Sequence, residues 1–195
     1  MIIILVGPSA VGKSTISKEL NNQFNFNNII TYTTRNPREN EINNVDYNFI
    51  TENEFKKLIN SNFFIEYQTV HNNYYGTSKE DLILLLKNNN SILLILDING
   101  AQKIKEMFPE ETIIIFIAPV TMNELYHRLT LRKLSEDEIQ TRMKTSKIEM
   151  KYCDSFDLKV INYKIQNTVD QISNFLLEKT NVVSRIDCKT PRIST

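Results

Sequence analysis

The sequence predicts an α/β fold, a three-layer α/β/α arrangement around a parallel sheet, with a small mixed or antiparallel β insertion. Three observations lead there. Four short runs, at 2–6, 92–97, 112–117 and 158–161, are almost continuously apolar and rich in β-branched residues, as strands buried on both faces are. Stretches of helical periodicity lie between them, the alternation expected of a parallel sheet covered by helices. One stretch, 29–77, departs from this rhythm with short extended pieces and many polar turn residues.

Taken in order, the first strand at 2–6 runs into a glycine turn and then a helix over 13–22. Extended pieces at 29–33, 47–51 and 63–70, with a helix near 52–59, form the insertion, placed over one end of the parallel sheet. The strand at 92–97 is followed by a helix at 101–107, and the strand at 112–117 by helices at 122–131 and about 136–152. The last strand, 158–161, precedes a helix at 169–179. Residues 182–195 show no helical period and read as a tail. The expectation is one domain over 1–181, with its core in 1–30 and 78–181 and its insertion at about 31–77.

A chain of 195 residues with 41% apolar and 24% charged residues has the composition of one ordinary globular domain. Its formal net charge of zero gives no general attraction to nucleic acid or to a membrane surface. Any anion must therefore be held by a local cluster of donors. The apolar start is too short for a signal-peptide core, and no later run approaches the roughly 20 apolar residues of a membrane span. A cytoplasmic protein that binds neither nucleic acid nor membrane is expected. Cys153 and Cys188 lack metal-ligand spacing and read as two reduced thiols. His71 and His127 read as surface residues.

The segment Gly7-Pro8-Ser9-Ala10-Val11-Gly12-Lys13-Ser14-Thr15 has the spacing of a phosphate loop, between a strand and a helix, as that motif requires. Glycines at 7 and 12 let successive N–H groups turn inward, and the helix starting near Lys13 adds its positive end. Lys13 is expected to reach the β- and γ-phosphates of a nucleoside triphosphate, and Ser14 to ligate Mg²⁺. The loop identifies the donor, not the acceptor.

For the acceptor, Thr31-Tyr32-Thr33-Thr34-Arg35-Asn36-Pro37-Arg38 offers two arginines whose planar forks suit phosphate oxygens. Asp46-Tyr47-Asn48-Phe49, Phe64-Ile65-Glu66-Tyr67 and Asn73-Tyr74-Tyr75-Gly76-Thr77 supply hydroxyls and one carboxylate. A carboxylate accepting two N–H bonds reads the N1–H and 2-amino edge of guanine, which adenine lacks.

These segments, together with Leu96-Asp97-Ile98-Asn99 and Ile117-Ala118-Pro119, resemble the guanylate kinase family, in consistent order from the phosphate loop to Asn162. The resemblance implies the P-loop kinase fold with a helical lid at about 128–145. It implies transfer of the γ-phosphoryl group of ATP to GMP, and to dGMP, with Mg²⁺, in a monomer or homodimer serving purine nucleotide metabolism. It further implies that Arg35, Arg38, Tyr47 and Tyr75 hold the GMP phosphate, and that Glu66 and Thr77 read guanine with Thr31 beside them. Asp97 would approach either guanine or hydrated Mg²⁺. Arg128, Arg132 and Arg142 would close over the ATP phosphates and the transferred group, and Asn162 would lie beside adenine.

The chain departs from the family pattern in three places. After Asp97 it is two residues shorter, with Asn99 where an aspartate is common. The segment Arg132-Lys133-Leu134-Ser135 is one residue shorter and lacks a glycine. Tyr163 and Lys164 stand where acidic residues are typical. Two other readings remain: a non-catalytic binding module of the same family, and a same-fold kinase for another small phosphate acceptor.

Overall fold

The computed structural model describes residues 1–70, 72–88, 90–132 and 134–187, with side chains to residue 179. His71, Lys133 and Cys188 lie outside the described residues. Five parallel strands form the main sheet: β1 (Ile2–Val6), β2 (Asn27–Asn28), β7 (Ile92–Ile95), β8 (Thr112–Ala118) and β9 (Leu158–Ile161), in the spatial order β2-β7-β1-β8-β9. A second sheet, in the order β4-β3-β6-β5, combines β3 (Tyr32–Thr33), β4 (Asn48–Phe49), β5 (Phe64–Val70) and β6 (Asn73–Ser78). β3 pairs parallel with β4 and antiparallel with β6, so this sheet is mixed.

The unbroken apolar run of β1 follows from burial on both faces. Ile2, Ile4 and Val6 join Leu82, Leu94, Ile104 and Phe116 in one core. Ile3 and Leu5 turn the opposite way and pack with Ile16, Leu20, Ile115, Val169 and Ile172. This period-two alternation places one core on each side of the sheet. The helices α1 (Lys13–Phe24) and α7 (Ile165–Asp187) cover one face, and α3 (Lys79–Lys87) and α4 (Ile98–Met107) supply residues to the other.

Several elements differ from expectation, and three of the differences have a clear physical cause. β2 is too short to show a pattern, yet it pairs with Ile92 and Leu93 at the sheet edge. β6 holds two tyrosines, one threonine and one glycine, and its pairing with β5 on one side and β3 on the other marks it as a strand. α3 carries the run Leu82-Ile83-Leu84-Leu85-Leu86, whose near-continuous apolarity hides the helical period, although Ser78 caps it by accepting from the Asp81 N–H. α7 continues to Asp187, into the stretch expected to be a tail. The long helix expected to 152 is α6 (Glu136–Glu149) followed by a 3₁₀ turn, Met150–Tyr152. Before it comes α5 (Met122–Thr130), and within the second sheet's segment lies α2 (Glu52–Asn60).

Candidate active site

The loop between β1 and α1 has positive φ at Gly7, Ala10 and Gly12, of 134°, 68° and 111°. A β-carbon at Gly7 would collide with the Ile117 carbonyl oxygen, and one at Gly12 would lie 2.6 Å from Asn162 Nδ2. Both glycines are thus required by conformation and by space. Gly12 is the N-cap of α1, with no side-chain cap bond, so the helix presents free N–H groups to an anion. Lys13 Nζ bends over the loop and donates to the carbonyls of Gly7 at 2.5 Å and Pro8 at 3.0 Å. Burial pushes its pKa down to about 8, with Arg132 adding to the depression and Glu149 opposing it.

The loop forms one wall of a cleft of about 560 Å³. Facing it are Arg38, Tyr47 and Tyr75 from the second sheet's segment, Asp97 beyond β7, and Arg128, Arg132, Arg142 and Glu149 from α5, α6 and their junction. Ser14 and Thr15 line the same space. A second cavity of about 350 Å³ continues beside it, sharing Val70, Asp97, Thr145 and Glu149 and adding Asn99 and Gln102.

Arg35 lies just behind the cleft surface. Its guanidinium makes a two-pronged contact with Glu41, at 2.7 and 3.0 Å, and Nε donates to the Tyr75 hydroxyl at 3.2 Å. It also stacks over Tyr47, 5.3 Å from the ring centre. Glu41 accepts from the Arg38 N–H at 2.7 Å. Burial alone would raise the Glu41 pKa, but the bonds and charges of Arg35 and Arg38 outweigh it and hold the carboxyl low. Four of the expected phosphate-holding residues, Arg35, Arg38, Tyr47 and Tyr75, therefore stand together, organised by a fifth, Glu41, that the sequence reading missed. Its position three residues after Arg38 in the same polar loop was the available signal.

Glu66 is buried on β5, and its Oε1 accepts from the Thr77 hydroxyl at 2.5 Å across the β5–β6 pairing. Burial pushes its pKa up to about 7, with Asp97 contributing further and the Thr77 bond opposing. Asp97 ends the β7 segment as the N-cap of α4, accepting from the Gly100 N–H at 2.7 Å; burial raises its pKa as well. Thr31 lies at the approach to β3, where its carbonyl accepts from the Asn48 N–H at 2.9 Å.

Arg128 donates to the Val11 carbonyl at 3.2 Å and pairs with Glu124 one helical turn away. Arg142 donates to the Ser9 hydroxyl at 3.1 Å, while its buried Nε has no partner among the described residues. Arg132 is brought down to about 10 by burial and by the charges of Arg38, Arg142 and Arg35. The three arginines from the α5–α6 region thus converge on the phosphate loop, and the cleft collects more positive charge than it neutralises.

Asn162 was expected beside adenine. It is buried, donating from Nδ2 to the Val11 carbonyl at 2.7 Å and accepting at Oδ1 from Thr168 at 3.0 Å. Its side chain braces the phosphate loop from behind. Glu149, on α6 two turns after Arg142, lines both cavities and was also missed. Its spacing from Arg142 puts the two on the same helical face.

Residues 1–179 match the family model described as guanylate kinase. The chain is 37% identical over 194 residues to a guanylate kinase of Clostridium tetani, covering 99% of this chain and 89% of that protein. A guanylate kinase of Wolinella succinogenes is 38% identical over 172 residues, covering 86% and 79%. Among solved structures, guanylate kinase from Anaplasma phagocytophilum superposes with a TM-score of 0.77 at 31% identity, covering 92% of this chain and 85% of that one. Shikimate kinase from Aquifex aeolicus, at 21% identity and a TM-score of 0.50, shares the fold. Fold, loop and match over nearly the whole described length agree: the chain belongs to the guanylate kinase family.

Proposed function

We propose that this chain transfers the γ-phosphoryl group of ATP to GMP, giving ADP and GDP. The observation that carries the reading is a single cleft. It has the phosphate loop on one wall, Arg38, Tyr47 and Tyr75 on another and three further arginines around them. Two phosphorylated substrates can meet there end to end.

In this reading the ATP phosphates lie on the N–H groups of the loop, with Lys13 leaving the Gly7 and Pro8 carbonyls to reach them. Arg35 and Arg38 clamp the GMP phosphate, and Tyr47 and Tyr75 donate hydroxyls to it. An oxygen of that phosphate attacks the γ-phosphorus, and the bond to the β–γ bridging oxygen breaks. Because the attacking group is already an anion, no strong base is needed; position and charge compensation do the work. Arg128, Arg132 and Arg142 would offset the charge of the transferred group. The region from Arg128 to about residue 145 would act as a lid that excludes water.

Mg²⁺ suits this donor set. Among the described residues no group of three or more His, Cys, Asp or Glu side chains could hold a metal by itself. Ser14, Asp97 and Glu149 line one cleft, which fits an ion that keeps several waters and is shared with substrate phosphates. Ser14 would ligate it, with the two carboxylates near its water shell. When bound, the ion neutralises phosphate charge. On the guanine side, ionised Glu66 with Thr77 would pair the N1–H and 2-amino edge, with Thr31 beside it.

The test is ADP release from ATP across GMP, dGMP, AMP, CMP, UMP and no acceptor. GMP should exceed AMP by several orders of magnitude, since a site built for polar pairing rejects an analogue lacking it by roughly 10⁴–10⁵. Lys13→Ala should abolish turnover with the melting temperature retained. Equal use of GMP and AMP would overturn the guanine assignment, and full activity of Lys13→Ala would overturn the donor site. ATP binding without turnover on any acceptor would favour the non-catalytic binding module.

A further inference from the structure

The Val11 carbonyl, inside the phosphate loop, is held from two sides. Asn162 Nδ2 donates to it at 2.7 Å and Arg128 at 3.2 Å. A trans peptide is planar, and its C=O and N–H point in opposite directions. Holding the Val11 oxygen outward therefore aims the Gly12 N–H inward, where an anion on the loop would be met. At Gly12, with φ of 111°, the backbone has little steric preference of its own, so an external brace sets the angle.

Asn162 can perform this only with its amide nitrogen toward Val11. A carboxamide turned the other way would set oxygen against oxygen. The group that fixes the orientation is Thr168, in the first turns of α7. Its hydroxyl donates to Asn162 Oδ1 at 3.0 Å, sharing its proton with the Lys164 carbonyl at 3.2 Å. Thr168 is fully buried, and so is the amide it orients. The Asn162 backbone is fixed too, its N–H donating to the Ala118 carbonyl at 2.8 Å. A buried amide with both ends engaged has a single arrangement in which neither end is left unpaired.

We propose that Thr168 is a positioning residue for the triphosphate: through Asn162 it fixes the Val11–Gly12 peptide so that the loop is preformed for the phosphate chain. This rests on the reading of the loop as the ATP site but not on the identity of the acceptor. Thr168→Val keeps the shape and removes the donor. Thr168→Ser keeps the donor.

The experiment measures ATP affinity calorimetrically without acceptor, and KM for ATP and for GMP in turnover. In Thr168→Val the dissociation constant and KM for ATP should rise about fivefold, the scale of one net hydrogen bond, while KM for GMP stays within twofold. Thr168→Ser should return both ATP values to within twofold of the parent. In an Asn162→Ala background, Thr168→Val should have no further effect on ATP affinity, because the route through Asn162 is already cut. Three results would each overturn the proposal: unchanged ATP affinity in Thr168→Val, an equal loss for ATP and GMP, or additive losses in the double variant. Failure of the functional reading looks different. The parent protein itself would then bind no ATP, or bind ATP and use no acceptor, and in the latter case the calorimetric arm still decides.

Discussion

Glu66 carries the sharpest conflict between stability and recognition at the scale of single residues. Reading guanine requires the ionised carboxylate, yet burial pushes its pKa up to about 7. The ionised fraction therefore falls about tenfold between pH 8 and pH 6. KM for GMP should rise accordingly, with KM for ATP far less affected, in initial-rate measurements over that range. Glu66→Gln should raise KM for GMP at every pH and remove the carboxylate's part of the profile. The sign for stability is the reverse of a paired carboxylate. Between about 4.5 and 7 the folded state binds more protons than the unfolded one, so this group's contribution falls as pH rises. Glu66→Gln should therefore be more stable than the parent at pH 8, and melt higher, by on the order of 3 kcal/mol. The two should converge near pH 4.5, as calorimetric scans would show. Glu41 makes the complementary case. It sets the angle of Arg35 by a two-pronged bond and touches Arg38 through its N–H. Glu41→Gln halves that grip, so KM for GMP should rise about five- to tenfold, the scale of a charge-assisted bond, with KM for ATP unchanged.

At the scale of elements, legibility followed the kind of force that forms each one. β1, β7 and β8 were readable because burial on two faces demands apolar runs, and the phosphate loop because its glycines answer a steric demand. β2 and β6 were not, since their formation depends on partners distant in sequence: Asn27 and Asn28 are strand only by lying against Ile92 and Leu93. The site divides in the same way. Arg35, Arg38, Tyr47 and Tyr75, all named from the motifs, stand together, whereas Glu41, Glu149 and Thr168 lie in no motif. Asn162 was named from the resemblance as a neighbour of adenine, but its bracing of the Val11 carbonyl depends on a partner 151 residues away and could not be read from the motif. The start of α6 gives a test at this scale. Ser135 and Glu138 form a reciprocal capping box, and this helix carries Arg142 to the loop. Ser135→Ala should lower stability by about 1 kcal/mol. Hydrogen exchange should be faster in the first turn of α6, with exchange of the β1 and β8 amides following only the global change.

Across the whole molecule, the chain as a unit carries no net charge, yet its cleft concentrates cations. Burial first, and then the charges of Arg38, Arg142 and Arg35, bring Arg132 down to about 10, and burial with the charges of Arg38 and Arg35 lowers Arg142. Two cores hold this arrangement from either side of the sheet, so the repulsion is a standing cost of the ligand-free fold. Phosphates should relieve it. By mass action, a ligand at 100 times its dissociation constant stabilises by about 2.7 kcal/mol, which for a chain of this size is a rise of roughly 5–10 °C in melting temperature. ATP with Mg²⁺ should produce a shift of that order in a thermal scan, and ATP and inorganic triphosphate should shift melting far more than adenosine. Arg132→Gln removes one member of the repelling set. Without ligand it should melt at or above the parent, and with ATP it should gain much less. Added salt should narrow the difference between the two free proteins, because screening weakens the same repulsion. An Arg132→Gln protein that melted lower without ligand, yet gained as much from ATP, would mean that this arginine holds the fold together and does not serve the phosphates.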